Sequence, residues 1–133
     1  MKWGALLVAV VAAVAIPAAA SPAAQPPASL RADIAEWSVV PSAGVVHSGL
    51  VRITAHNVGN DRHQLMIVRT SGFADDLQLA GNRAVAHPVA HPVVVAPGKA
   101  NSFVVDLKPG NYLLVDNLPW HYWHGTVAAF AVR

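Results

Sequence analysis

The sequence contains no cysteine, which excludes disulfides, thiolate metal sites, iron–sulfur clusters and a cysteine nucleophile together. Charge is scarce too. Nine Lys and Arg stand against seven Asp and Glu for a net charge of +2, too balanced for the basic stripe that phosphate backbones require, so no nucleic-acid partner is expected. No apolar run reaches the roughly 20 residues of a membrane span: the longest runs from Trp3 to Ile16 and ends at Pro17. There is no Ser/His/Asp order and no paired Glu set of the kind used in acyl transfer or glycoside hydrolysis, so the chain does not read as an enzyme. Only a metal site with open positions could activate water.

What is present begins with a leader. Met1-Lys2 is a short positive start, Trp3 to Ile16 is rich in Ala, Val and Leu, and Ala18-Ala19-Ala20 is a small-x-small cleavage signal. Residues 1–20 read as a secretory signal peptide cut after Ala20. Loss of Lys2 leaves a net charge of +1 and a soluble product in the periplasm or the medium, with no stable membrane insertion after cleavage. Residues 21–29 (SPAAQPPAS) hold three prolines and no large apolar side chain, which predicts a flexible linker. Residues 30–133 form the folded unit, a length that suits one domain.

Within that unit the apolar pattern has period two. Trp37 and Val39, then Val51, Ile53 and Ala55, then Leu65 and Ile67, then Phe103 and Val105, then Leu113 and Val115 alternate with neighbours expected to be polar or exposed, as half-buried strands do. Turns fall between them at Pro41 to Gly44, Val58 to Asp61, Pro97-Gly98 and Pro109-Gly110. The pattern predicts an all-β, antiparallel Greek-key sandwich of seven or eight strands with Trp37 in its core, the strand at Leu50 to Asn57 beside it. Ala74, Asp75 and Asp76 could open one helical turn within Phe73 to Leu79.

Seven histidines supply the commonest metal ligand. His63 opens a strand directly after the Asn57 to Arg62 turn, and His121 sits in the loop before the last strand, so both can reach one pole of a sandwich. The blocks Asn57-Val58-Gly59-x-x-x-His63-x-Leu65, Val95-Ala96-Pro97-Gly98, Asp106-Leu107-Lys108-Pro109-Gly110-x-Tyr112 and Asp116-Asn117-Leu118-Pro119-Trp120-His121-Tyr122-x-x-Gly125-Thr126-x-x-x-Phe130-x-Val132 resemble the cupredoxins, in particular their small secreted plastocyanin-like members. The resemblance covers residues 30–133. It implies a copper site built from an upstream His and a Cys-x4-His-x4-Met run. By position these map to His63, Asp116, His121 and Thr126, with both spacings kept and both sulfur ligands gone.

Blue-copper electron transfer depends on a thiolate, which Asp116 cannot supply. On the implied ligand set, His63, Asp116 and His121 would favour Cu(II) with water in a tetragonal shell, or Zn(II) in a tetrahedral one. Thr126 offers a hydroxyl or a bound water at the axial position. The same residues also fit a site that never holds metal: Asp116 can bond nearby backbone amides, and the two imidazoles can bond it across a collapsed cavity.

The other histidines read differently. His87 and His91, in a repeated His-Pro-Val unit, suit a Pro-blunted edge strand better than a weak metal site. His124 flanks His121, while His47 and His56 read as strand-face residues. Trp120, Tyr122 and Trp123 form a docking patch for a protein partner at this pole, or else Trp120 and Tyr122 pack inward as the loop's own small core. Two functions follow: a secreted module that captures Cu(II), or a copper-free recognition module using the Trp-rich loop.

Overall fold

Eleven strands are formed among the residues that the computed structural model describes, which are Met1, Gly4, residues 12–72, Ala74 and residues 76–133. They are β1 (Ala28–Ala35), β2 (Ser38–Pro41), β3 (Val45–Val46), β4 (Gly49–Asn57), β5 (His63–Thr70), β6 (Leu79–Ala80), β7 (Arg83–Ala84), β8 (Val93–Val95), β9 (Ala100–Leu107), β10 (Gly110–Val115) and β11 (Val127–Val132). The protein is an all-β sandwich of two sheets, ordered β2-β1-β4-β9 and β3-β11-β10-β5-β8, with β6 and β7 as a separate ribbon. Among the described residues there is no helix; Phe73 and Asp75, part of the proposed helical turn, lie outside them.

Alternation builds the first sheet. β1 turns Leu30, Ala32 and Ile34 inward and β4 does so with Val51, Ile53 and Ala55, so one face of each strand joins the core and the other keeps Arg31, Arg52 and His56 toward water. In the second sheet the alternation is lost for a physical reason. β10 buries Tyr112, Leu113, Leu114 and Val115 in succession, and β5 buries Leu65 to Val68. One set faces the inter-sheet core; Met66, Val68, Leu113 and Val115 form a second core with Ala84 and Tyr122 on the outer face. Strands covered on both sides read as continuous apolar runs.

Several expectations are corrected. The sheets are mixed, because β1 pairs with β4 and β3 with β11 in parallel. The chain leaves β1 through β2 and β3 before returning beside it as β4, and such a crossover permits a parallel neighbour. The two sheets hold nine strands because β3 and β8 are too short to show a period. β1 begins at Ala28, so Ala28 and Ser29 of the segment read as linker pair with Val51 and Arg52; backbone pairing needs no large side chain. Trp37 is not core. It sits at the two-residue tip between β1 and β2, where Ala35 pairs with Ser38, and is 49% exposed. The period from Val39 back to Trp37 crosses a turn and does not survive it. His47 lies in the exposed connection before β4, whereas His56 does occupy the polar face of β4, bonded to Asp33 at 3.0 Å.

Candidate metal centre

One pole of the sandwich gathers the end of β4, the start of β5, the end of β10 and the β1–β2 tip. Asn57, the fully buried last residue of β4, organises the turn there. Its Nδ2 donates to the carbonyls of Asp61 (2.7 Å) and Val95 (2.9 Å), and its Oδ1 accepts from Gly59 N (2.9 Å). The turn is thereby pinned to β8 just before His63, which pairs with Val95 as the first residue of β5 and is fully buried.

The loop after β10 is fixed from both sides. Asp116 N donates to Thr126 O at 3.0 Å and Thr126 N to His121 O at 3.1 Å, closing the loop on itself. The Asn117 side chain binds Ala84 like an extra strand, accepting from its N–H at 2.7 Å and donating to its carbonyl at 3.0 Å. Tyr122 turns inward, and its hydroxyl donates to Ala74 O and accepts from Leu77 N, both at 3.0 Å. Trp120 and Trp123 face outward, 53% and 62% exposed. Of the two residues considered for inward packing, Tyr122 packs inward and Trp120 does not.

This scaffold brings the three sequence-assigned residues together. His63 Nδ1 and His121 Nδ1 each stand 2.7 Å from the same atom, Asp116 Oδ2. The three ligand atoms, one per residue, lie within 4.8 Å of one another. The other carboxylate oxygen, Oδ1, accepts from Leu118 N at 3.0 Å. Asp116 therefore terminates the strand as loop aspartates do while its second oxygen faces both imidazoles. His63 and Asp116 are fully buried, and the His121 side chain is 16% exposed. Thr126 is fully buried, and its Oγ1 has no hydrogen-bond partner.

His87 and His91 are exposed and outside this group, in an irregular segment whose Pro88 makes one isolated bridge to Val68. His124 flanks the site, its ring 4.3 Å from Trp37.

Two residues of the pole were not placed there by the sequence: Glu36, which showed no pattern, and Trp37, read as core; they form the tip between β1 and β2. Glu36 Oε1 accepts from Asn60 N (2.6 Å) and Asp61 N (2.8 Å) and lies 3.5 Å from His63 Nε2. The backbone amide of Asp61, helped by those of Glu36 itself and Asn60, holds the Glu36 carboxyl down to about 2. Trp37 adopts φ 66° and sets its ring edge-on to His121 at 5.6 Å. Only tertiary pairing places this tip over the histidines, so no local pattern announces it.

No family model matches the sequence, and no curated protein matches it. Solved structures do. Reduced auracyanin from the photosynthetic bacterium Roseiflexus castenholzii superposes with a TM-score of 0.54 at 19% identity, over 80% of this chain and 98% of that one. Auracyanin B gives 0.56 at 19%, over 83% and 92%. Rusticyanin from Thiobacillus ferrooxidans gives 0.54 at 16%, over 79% and 77%. The chain has the cupredoxin fold. At these identities the likeness establishes the fold, and the chemistry of this cupredoxin-like site must come from its own donors. Two imidazole nitrogens and one carboxylate oxygen, preassembled in a buried pole, suit a borderline divalent ion. They fit a copper or zinc ion and not a blue-copper centre, because the chain has no cysteine to supply a thiolate,.

Proposed function

We propose that this chain is an exported cupredoxin-like protein that binds Cu(II) through His63 Nδ1, His121 Nδ1 and Asp116 Oδ2, with no enzymatic activity. The convergence of both Nδ1 atoms on one carboxylate oxygen carries the reading, because those atoms are already within reach of a single ion. Bound there, copper would be held by hard and borderline donors that favour the oxidised ion. Electron transfer is therefore not its role. Capture or buffering of Cu(II) outside the cytoplasm is the role that suits such a donor set and the signal peptide read in residues 1–20.

Stoichiometric Cu(II) titration followed by electron spin resonance tests this. The expected spectrum has hyperfine splitting of normal width and no intense thiolate-to-copper absorption. His63→Ala and His121→Ala should each abolish tight binding. Unchanged affinity in both variants would overturn the proposal.

A second reading, a copper-free recognition module, is favoured by the outward Trp120 and Trp123 beside the exposed Trp37, since large aromatics are enriched where proteins dock. It requires that the wild-type chain lack a stoichiometric Cu(II) site.

A further inference from the structure

Among the described residues, two buried side-chain polar atoms have no hydrogen-bond partner: Thr126 Oγ1 and His63 Nε2. The second is informative. With Nδ1 directed at Asp116 Oδ2, a neutral imidazole that offers Nδ1 to a metal must carry its hydrogen on Nε2, and a buried N–H without an acceptor is unfavourable. Glu36 Oε1 lies 3.5 Å away, just beyond hydrogen-bonding range,. It is held there by the amides of Asn60 and Asp61 from the turn that leads into His63.

Gly59 makes room for this arrangement. A Cβ at position 59 would stand 2.6 Å from Glu36 Oε1 and 2.7 Å from Oε2, so any larger residue displaces the carboxylate. Turn, glycine and hairpin tip thus converge on bringing one carboxylate to the back of one imidazole.

We propose that Glu36 is a positioning residue for His63: its Oε1 accepts the Nε2–H, fixing the ring with Nδ1 turned toward Asp116 and His121. This rests on the copper-binding reading and extends it, since the residue acts through His63 and does not touch the ion. Outer partners of this kind orient metal-bound histidines and make the bound nitrogen more basic.

The test uses the full mature chain loaded with Cu(II), comparing wild type with Glu36→Gln and Gly59→Ala. Gln retains an oxygen for the Asn60 and Asp61 amides and removes the anionic acceptor; the glycine substitution displaces the carboxylate without altering it. Circular dichroism and thermal unfolding establish that each variant is folded. Affinity is read by competition with a chelator, and pulsed electron spin resonance reads the quadrupole coupling of the remote imidazole nitrogen, which reports the hydrogen bond on Nε2. Both variants should lose about 10-fold or more in affinity and change the remote-nitrogen coupling of one histidine. Wild-type coupling in both folded variants, at whatever affinity, overturns the role of Glu36 and leaves the copper site standing. A wild-type chain that binds no Cu(II) through His63 overturns both.

Discussion

The rings of His63 and His121 meet edge to face with centroids 5.2 Å apart, each presenting Nδ1 to Oδ2 of Asp116. One oxygen thus holds two imidazoles from segments distant in sequence, the first residue of β5 and the loop before β11. In the absence of an ion, hydrogens on the two nitrogens satisfy the carboxylate. A divalent ion would take the place of those hydrogens, each neutral imidazole then carrying its hydrogen on Nε2, so the same geometry serves both a closed polar cluster and a ligand set.

Binding should depend on pH. Protons and metal compete for the imidazole nitrogens, so Cu(II) affinity should fall as pH is lowered from about 7 to about 5. Competitive titration across this range checks it. A flat profile would contradict ligation by two histidines.

Glu36 gives a separate acid dependence, in stability. Its folded value of about 2 lies below the ordinary 4.5, so the unfolded chain takes up the proton first as pH falls. The stabilisation is fully present above about pH 4.5 and is lost toward about pH 2,. The difference in urea midpoint between wild type and Glu36→Gln should therefore be largest near neutrality and shrink on acidification. A difference constant with pH would show that the amides of Asn60 and Asp61 do not discriminate carboxylate from amide.

Asn57→Ala should destabilise the fold by about 1–3 kcal/mol, because the carbonyls of Asp61 and Val95 and the N–H of Gly59 lose a buried partner. Urea unfolding measures it. A change near zero would mean that the turn before His63 is held by its backbone bonds alone.

The double variant His87→Ala, His91→Ala should bind Cu(II) with wild-type affinity and an unchanged resonance spectrum, since both side chains are exposed and neither joins the His63 cluster. A loss of tight binding in this variant would relocate the metal.

Legibility in the sequence followed the length scale of each pattern. β4 was readable because it has one wet face, so Val51, Ile53 and Ala55 alternate over a full strand. β5 and β10 read as alternating strands around Leu65 and Ile67 and around Leu113 and Val115, whereas both faces are buried; the second buried face depends on the ribbon and Tyr122, which no local pattern encodes. His63, Asp116 and His121 were assigned by spacing within the family blocks, and the structure brings those three together. Trp37 was misplaced because a hairpin tip interrupted the period that seemed to include it. Glu36 was invisible for the same reason: its partners come from a different turn, and only the parallel pairing of β1 with β4 brings them within reach.

The most direct measurement is the visible and spin-resonance spectrum of Cu(II)-loaded Asp116→Cys. If position 116 stands where a thiolate would complete a His2Cys plane, the folded variant should turn blue, with intense thiolate-to-copper absorption and compressed hyperfine splitting, even with Thr126 in the axial place. A folded Asp116→Cys that binds copper without that absorption, or binds none, would contradict the assignment of His63, Asp116 and His121 as one metal centre.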